Sequence, residues 1–140
     1  TIAEHGCSST YGGNGVFLER GSTLRVENSI LWGNDQSSSE IYTDPSSSYS
    51  AVYSDLQQVV AGTGNFSLDP LFVNAQAGDF HLRSTAGHWD ETSGWALDTT
   101  TSPCIDAADP AASFDQEPSP NGGRADVGAY GNTAQASLSP

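Results

Sequence analysis

The sequence predicts an all-β fold, a parallel β-helix (solenoid) of about three rungs closed by an irregular C-terminal cap, and three observations point to it. β-Type runs recur at intervals in the twenties: Val26 is followed by Val52, Leu18 by Tyr42, and Ile30 is preceded by Ile2, offsets of 26, 24 and 28 residues. Gly, Ser, Asn, Asp and Pro punctuate the chain every several residues, which suits short strands joined by corners. No window carries a helical period. Three strands of roughly 5 residues with their corners use up about one such interval. Each turn of the coil buries only its inward side chains and must stack on its neighbours to complete a core.

Residues 1–5 read as the second half of a rung. Residues 7–15 (Cys-Ser-Ser-Thr-Tyr-Gly-Gly-Asn-Gly) form a corner tolerant of positive φ, leading into a strand at Val16-Phe17-Leu18-Glu19. Residues 23–34 (Thr-Leu-Arg-Val-Glu-Asn-Ser-Ile-Leu-Trp-Gly-Asn) are the clearest rung. After a polar loop, Glu40-Ile41-Tyr42-Thr43 repeats the first strand, and residues 49–58 repeat the clear rung with Ser54-Asp55 in place of Asn28-Ser29. Beyond Gly62 the period loosens into an apolar, Pro-broken run at 65–73 and a short strand at 79–83. The expected organisation is one domain, with rungs over 1–83 and a capping segment over 84–140. Expected inward residues are Val16, Leu18, Leu24, Val26, Ile30, Ile41, Val52, Leu56, Leu71, Phe80, Leu82 and Ile105.

The net charge is −13, with four arginines and no lysine. Nucleic-acid affinity rests on cations that neutralise phosphates, so a polyphosphate partner is excluded, and an anionic membrane surface is disfavoured for the same reason. Residues 1–34 hold three acids against two arginines, a net of −1; the remainder holds fourteen acids against two arginines, a net of −12. No run is long and apolar enough to span a bilayer. Without a signal peptide or an initiating Met, the sequence reads as a processed product or an excised fragment. Two cysteines make no disulfide framework. With Cys7 on the first rung and Cys104 on the last, and rungs about 4.8 Å apart, three steps exceed the roughly 7 Å limit on Cα separation unless the cap folds back along the column, so the two are expected not to be bonded.

Several ordered blocks carry a family likeness: Ile30-Leu31-Trp32-Gly33-Asn34, Tyr53-Ser54-Asp55-Leu56-Gln57, Asp69-Pro70-Leu71-Phe72-Val73, Asp79-Phe80-His81-Leu82, residues 102–110 (Ser-Pro-Cys-Ile-Asp-Ala-Ala-Asp-Pro), residues 117–124 (Glu-Pro-Ser-Pro-Asn-Gly-Gly-Arg) and residues 128–133 (Gly-Ala-Tyr-Gly-Asn-Thr). In this order they resemble the C-terminal region of bacterial right-handed parallel β-helix repeat proteins. The resemblance covers nearly the whole chain. It implies a secreted or surface protein with the fold of pectate lyases and related polysaccharide-active enzymes, and it implies no particular activity. Asp126 departs from an apolar position of the pattern and needs a partner.

A lyase of that fold needs a cation beside the sugar carboxylate and a base for the α proton. Only Arg20 and Arg25 lie on the regular rungs. The histidines His5, His81 and His88 lack nucleophile or zinc spacing and read as surface or corner residues. Asp106, Asp109, Asp115 and Asp126 could offer oxygens to Ca²⁺; the simpler use is in turns, with Arg124 pairing one nearby carboxylate. No other cofactor is expected. Trp89 and Trp95 have two uses, covering the end of the solenoid or forming a sugar-stacking platform, which needs coplanar exposed rings. Asn28 and Asn34 suit backbone bonding at corners.

The sequence therefore favours a non-catalytic, extracellular structural or adhesive module over an enzyme. The alternative is part of a polysaccharide-active, lyase-like or carbohydrate-binding protein. A chain starting in mid rung would present an edge at Val16, Phe17, Leu18, Glu19, Arg20 and Arg25, free of Lys and Pro, for stacking into filaments, for dimerisation, or for the upstream rungs of a longer parent chain.

Overall fold

Alternation of period two is cleanest in the first half of the chain, and it builds the strands on which everything else rests. The computed structural model describes residues 1–5, 15–34 and 40–140. Its strands are β1 (Ile2–Ala3), β2 (Val16–Leu18), β3 (Thr23–Glu27), β4 (Ile30–Trp32), β5 (Ile41–Thr43), β6 (Ser48–Val52), β7 (Asp55–Leu56), β8 (Phe72–Asn74), β9 (Asp79–Leu82), β10 (His88–Asp90) and β11 (Gly94–Ala96). In β3, Thr23, Arg25 and Glu27 are exposed while Leu24 is half-buried and Val26 buried, the pattern of a strand with one wet face.

The first seven strands pair in parallel as β1–β4–β7, β2–β5 and β3–β6. Phe17 lies opposite Tyr42, Val26 opposite Ala51 and Leu31 opposite Leu56, each a step of 25 residues. The chain passes from one sheet to the next through left-handed residues that match in the same way, Asn28 and Tyr53, both at φ 48°. A polar ladder stitches these corners. The Ser29 N–H donates to Ser54 Oγ at 3.2 Å, and the Ser54 N–H donates to Asn65 Oδ1 at 3.1 Å. The expected offset of 26 is one too long. Because side chains alternate, a slip of one residue exchanges the faces: Ala51 is buried and Val52, expected inward, is half-buried.

The expected right-handed parallel β-helix of three rungs over 1–83 is not what the chain forms. Among the described residues, parallel pairing is confined to three sheets of two or three strands and ends at an isolated Asp55–Phe66 bridge. The next two sheets, β8–β9 and β10–β11, are antiparallel hairpins. Pro70, which has no N–H to give a ladder, and Leu71 at φ 52° break the run. A 3-10 turn at Ala75–Ala77, closed by Gly78 at φ 80°, then reverses the chain; so short a connection can join only antiparallel strands. The fold is all-β, with mixed short sheets.

Two apolar cores flank β4. Leu31 packs with Val26, Ile41, Ala51 and Leu56 inside the parallel sheets. Ile30, one residue away and on the opposite face, packs with Leu82, Cys104, Ile105, Ala108, Ala125 and Val127. The C-terminal segment therefore covers the outer face of the three-stranded sheet. Both the backbone and the side chain of Asn28 fasten it there: the Gly128 N–H donates to Asn28 O at 3.1 Å and the Asp109 N–H to Asn28 Oδ1 at 2.7 Å. Gly128 must be glycine, since its φ is +115° and a Cβ would stand 2.8 Å from Ile30 Cδ1. Of the expected inward set, Val26, Ile30, Ile41, Leu56, Leu82 and Ile105 are buried. Val16, Leu18, Leu24, Leu71 and Phe80 are half-buried.

Candidate functional site

Alternation in β9 puts Asp79 and His81 on one side of the strand. Asp79 Oδ1 accepts the His81 N–H at 3.1 Å and meets His81 Nδ1 at 2.7 Å. An ionised carboxylate only accepts, so Nδ1 carries the proton in this contact. The ring of Tyr130 lies flat on the imidazole, with centroids 3.7 Å apart and planes 12° apart. Tyr130 is held by Thr133, whose N–H and hydroxyl both donate to its carbonyl. Burial, and then the Asp79 and Glu91 carboxylates, push the Tyr130 phenol up, so it stays a hydroxyl.

The opposite wall comes from the β10–β11 hairpin. Trp89 and Trp95 pair across it, with centroids 5.5 Å apart and planes crossing at 77°. They are not a coplanar platform. Trp89 lines the cleft and Trp95 stands on the outside, 40 % exposed. At the hairpin tip Asp90 Oδ1 accepts the Thr92 N–H, the Ser93 N–H and the Ser93 hydroxyl. Those bonds, the Ser93 hydroxyl foremost, hold the Asp90 carboxyl below its usual range. The cleft between the two walls has a volume of about 350 Å³ and is lined by Ala77, Gly78, Asp79, His81, Trp89, Asp90, Glu91, Thr92 and Tyr130. No arginine lines it.

His81 is buried, and its Nε2 has no partner. His88 is buried too, its Nδ1 2.6 Å from Asp98 Oδ2, which also accepts the Ser84 N–H. Of the three histidines expected at the surface or in corners only His5 is exposed. Spacing in sequence hid the site: Tyr130 completes the cleft from far beyond β9, and a lone Asp-Phe-His triplet carries no signal until the strand aligns its ends.

The four aspartates proposed for Ca²⁺ do not gather. Asp109 Oδ1 accepts the Ala111 N–H and Asp115 Oδ2 accepts the Ser113 hydroxyl, each within its own turn. Asp106 and Asp126 do adjoin, the Asp106 N–H donating to Asp126 Oδ1 at 3.0 Å. Their third neighbour is Glu117, which sequence reasoning passed over; its Oε1 accepts the Asp126 and Asn132 N–H groups. Gly122 closes the group, a Cβ there falling 2.2 Å from Asp106 Oδ2. Burial drives the Asp126 carboxyl up to about 8, and Glu117 is raised for the same reason. Asp126 Oδ2 and Glu117 Oε2 have no partner. Among the described residues no group of three or more His, Cys, Asp and Glu is placed to hold a metal ion.

Arg124 does not pair a carboxylate as expected; it donates to the carbonyls of Ala107 and Ala108 and lies over the Tyr53 ring. Asn28 and Asn34 do bond backbone at corners, to Asp109 and to Ile2 and His5. Cys104 is a buried free thiol, 3.3 Å from Asp55 Oδ2; Cys7 lies outside the described residues. In the expected assembly edge, Val16, Phe17 and Leu18 form β2, with Phe17 stacked on Tyr42 at 4.5 Å. Arg20 pairs with Glu19 and Arg25 with Glu27, both at 3.1 Å, so each cation there has a local partner. No helix among the described residues is long and apolar enough to cross a membrane.

A sequence model described as disaggregatase related matches residues 31–108, a span that holds every residue of the cleft except Tyr130. No curated protein and no solved structure matches the chain.

Proposed function

We propose that this chain, which belongs to the disaggregatase-related family, is a non-catalytic module that grips a polysaccharide in the cleft between β9 and the β10–β11 hairpin. A single observation carries the reading: one cleft is lined both by aromatic side chains, Trp89 and Tyr130, and by the carboxylates Asp79, Asp90 and Glu91. Sugars are bound by that combination, apolar C–H faces lying on rings while hydroxyls donate to fixed carboxylates. The family's name speaks of taking aggregates apart, and a module that holds a shared polymer suits such work.

The non-catalytic part of the reading rests on where the acids are committed. Asp79 is spent on orienting His81, and Asp90 on capping its own turn. A glycosidase needs one carboxyl kept protonated across from one kept ionised, and in the cleft Asp90 is held low by the Ser93 and Thr92 bonds of its own turn. The raised carboxyls, Asp55, Glu117 and Asp126, lie in the packed interior between the sheets and the C-terminal segment.

Calorimetric titration with neutral, N-acetylated, amine-bearing and uronate oligosaccharides tests the proposal, with Trp89→Ala beside the parent chain. Binding without turnover, lost in Trp89→Ala but kept in Trp95→Ala, is the expected result. Binding that survives Trp89→Ala, or no binding of any class, would remove the cleft from consideration.

A further inference from the structure

We infer that Glu117 is the positioning residue for the Tyr130 wall of the cleft, a latch that holds while Glu117 and Asp126 keep a proton between them and frees Tyr130 when that proton leaves. The inference goes beyond the saccharide reading, because it concerns how the wall is set and needs no ligand for its test.

Geometry is the first ground. Tyr130 sits in a loop whose two ends meet on one atom: Glu117 Oε1 accepts the Asp126 N–H at 2.9 Å and the Asn132 N–H at 2.7 Å. The ends lie so close that a Cβ on Gly131 would stand 2.1 Å from Asp126 O. Asn132 is left-handed at φ 55°, a conformation that a residue with a side chain keeps where its surroundings impose it. Here its N–H goes to Glu117, and its Oδ1 accepts the Gln116 N–H at 3.2 Å. Glu117 is fixed in turn, its N–H donating to the carbonyl of Phe114, which packs on the core around Ile30. Val127 and Gly128 are tied elsewhere, to Cys104 O and Asn28 O, so the end that depends on Glu117 is the one beside Tyr130.

The second ground is a pair of orphaned oxygens. Glu117 and Asp126 are 7 % and 4 % exposed, and Glu117 Oε2 and Asp126 Oδ2 have no partner. Two adjacent buried carboxyls resist ionising together, and a proton held by the pair removes one charge and supplies a donor. The groups facing them do not offset a second charge. Asp106 gives its N–H to Asp126 Oδ1 while its own carboxylate accepts the Ser139 hydroxyl, and the Cys104 thiol stays neutral. Arg124 donates to the Ala107 and Ala108 carbonyls.

Burial raises both carboxyls, Asp126 to about 8. A raised carboxyl stabilises the fold below its ordinary range, and that contribution is lost as pH rises through the folded value. The second charge therefore enters at mildly alkaline pH and belongs to the pair. A cavity of about 240 Å³, lined by Asp126, Gly131 and Asn132 among others, lets water reach the charged pair. Hydration there parts the loop at Asn132, and Tyr130 loses its seat on His81.

Nuclear Overhauser spectra of the full chain from pH 6 to 9 test this through the cross-peaks between the Tyr130 ring and the His81 imidazole, whose centroids lie 3.7 Å apart. The Tyr130 phenol, pushed up by burial, ionises above this range. The cross-peaks are expected to fall severalfold between pH 7 and 9 while those between Leu31 and Leu56 persist. In the double variant Glu117→Gln/Asp126→Asn they should persist to pH 9, since an amide oxygen still accepts both N–H groups and no proton remains to leave. In Glu117→Ala they should be weak throughout. Undiminished cross-peaks at pH 9 in the parent chain would overturn the inference. So would their loss over the same range in the double variant, or loss together with the Leu31–Leu56 contacts, which would mean global unfolding. If Glu117→Ala does not fold, the parent and the double variant decide. Each of these results leaves the saccharide titration to be judged separately.

Discussion

Replacing Asp126 by Asn should stabilise the protein, and more so the higher the pH. Asp126 is 4 % exposed, bonds through Oδ1 to the Asp106 N–H and leaves Oδ2 unpartnered beside Glu117. Burial first, and then the Glu117 and Asp106 carboxylates, lift its carboxyl from the ordinary 3.8 to about 8. Between those values the folded chain holds a proton that the unfolded chain has released. Stability contributed by that proton is complete below the ordinary carboxylate range and is lost as pH rises, at about 1.4 kcal/mol per unit, until the folded group also ionises. At pH 7 the loss relative to a permanently neutral side chain reaches about 4 kcal/mol. An amide at this position keeps the bond from Asp106 and removes the titration. Its unpaired N–H₂ costs about 1 to 3 kcal/mol, and that cost does not depend on pH. Urea unfolding followed by tryptophan fluorescence at pH 5, 6, 7 and 8 separates the two terms. The stability of Asp126→Asn minus that of the parent should climb by about 1.4 kcal/mol per unit from pH 5 to 7 and by less toward pH 8, where the folded carboxyl itself ionises. Asp55, also raised, to about 6, is common to both chains and cancels. A difference that stays flat from pH 5 to 8 would refute the reasoning, whatever its sign.

Two further outcomes follow from the packing of β4 and β7. Cys104 is fully buried and its thiol is pushed far up, by burial first and then by Asp55, so a thiol-reactive disulfide reagent should leave it untouched in the native chain and modify it fully in urea; Cys7→Ser isolates that signal. Leu56→Ala should cost about 2 to 5 kcal/mol in urea unfolding, because Leu56 is 0 % exposed and central to the core within the parallel sheets, whereas Val59→Ala, at a site 91 % exposed, should change stability by less than about 0.5 kcal/mol.

The strands of the first half were legible because their signal is local. Thr23 to Glu27 alternates residue by residue, and alternation with β-branched residues marks a half-buried strand whatever its partners. Register was less legible, since matching Val26 to Val52 by type overlooks that Ala51 is small enough to face the core. The hairpins were missed for a related reason. Short apolar runs at Phe72 and Phe80 look alike in either direction, and direction is set by the turn, here Ala75–Ala77 with Gly78 left-handed. The double burial of β4 also lies outside any periodic signal. Both Ile30 and Leu31 are apolar, and only the docking of the C-terminal segment explains why each face needs to be. Trp89 was legible as a candidate; its partners His81 and Tyr130 were not, because stacking between residues so far apart is a property of the folded chain.

The central claim, a sugar-binding cleft between β9 and the β10–β11 hairpin, is tested most directly by mapping where a bound oligosaccharide perturbs the amide and indole resonances of the labelled chain. Shifts confined to Gly78, His81, the Trp89 indole, Thr92 and Tyr130, saturating together with one affinity, are the predicted result. Saturable shifts centred on β2 and β3, or none in the cleft at millimolar sugar of every class titrated, would contradict it.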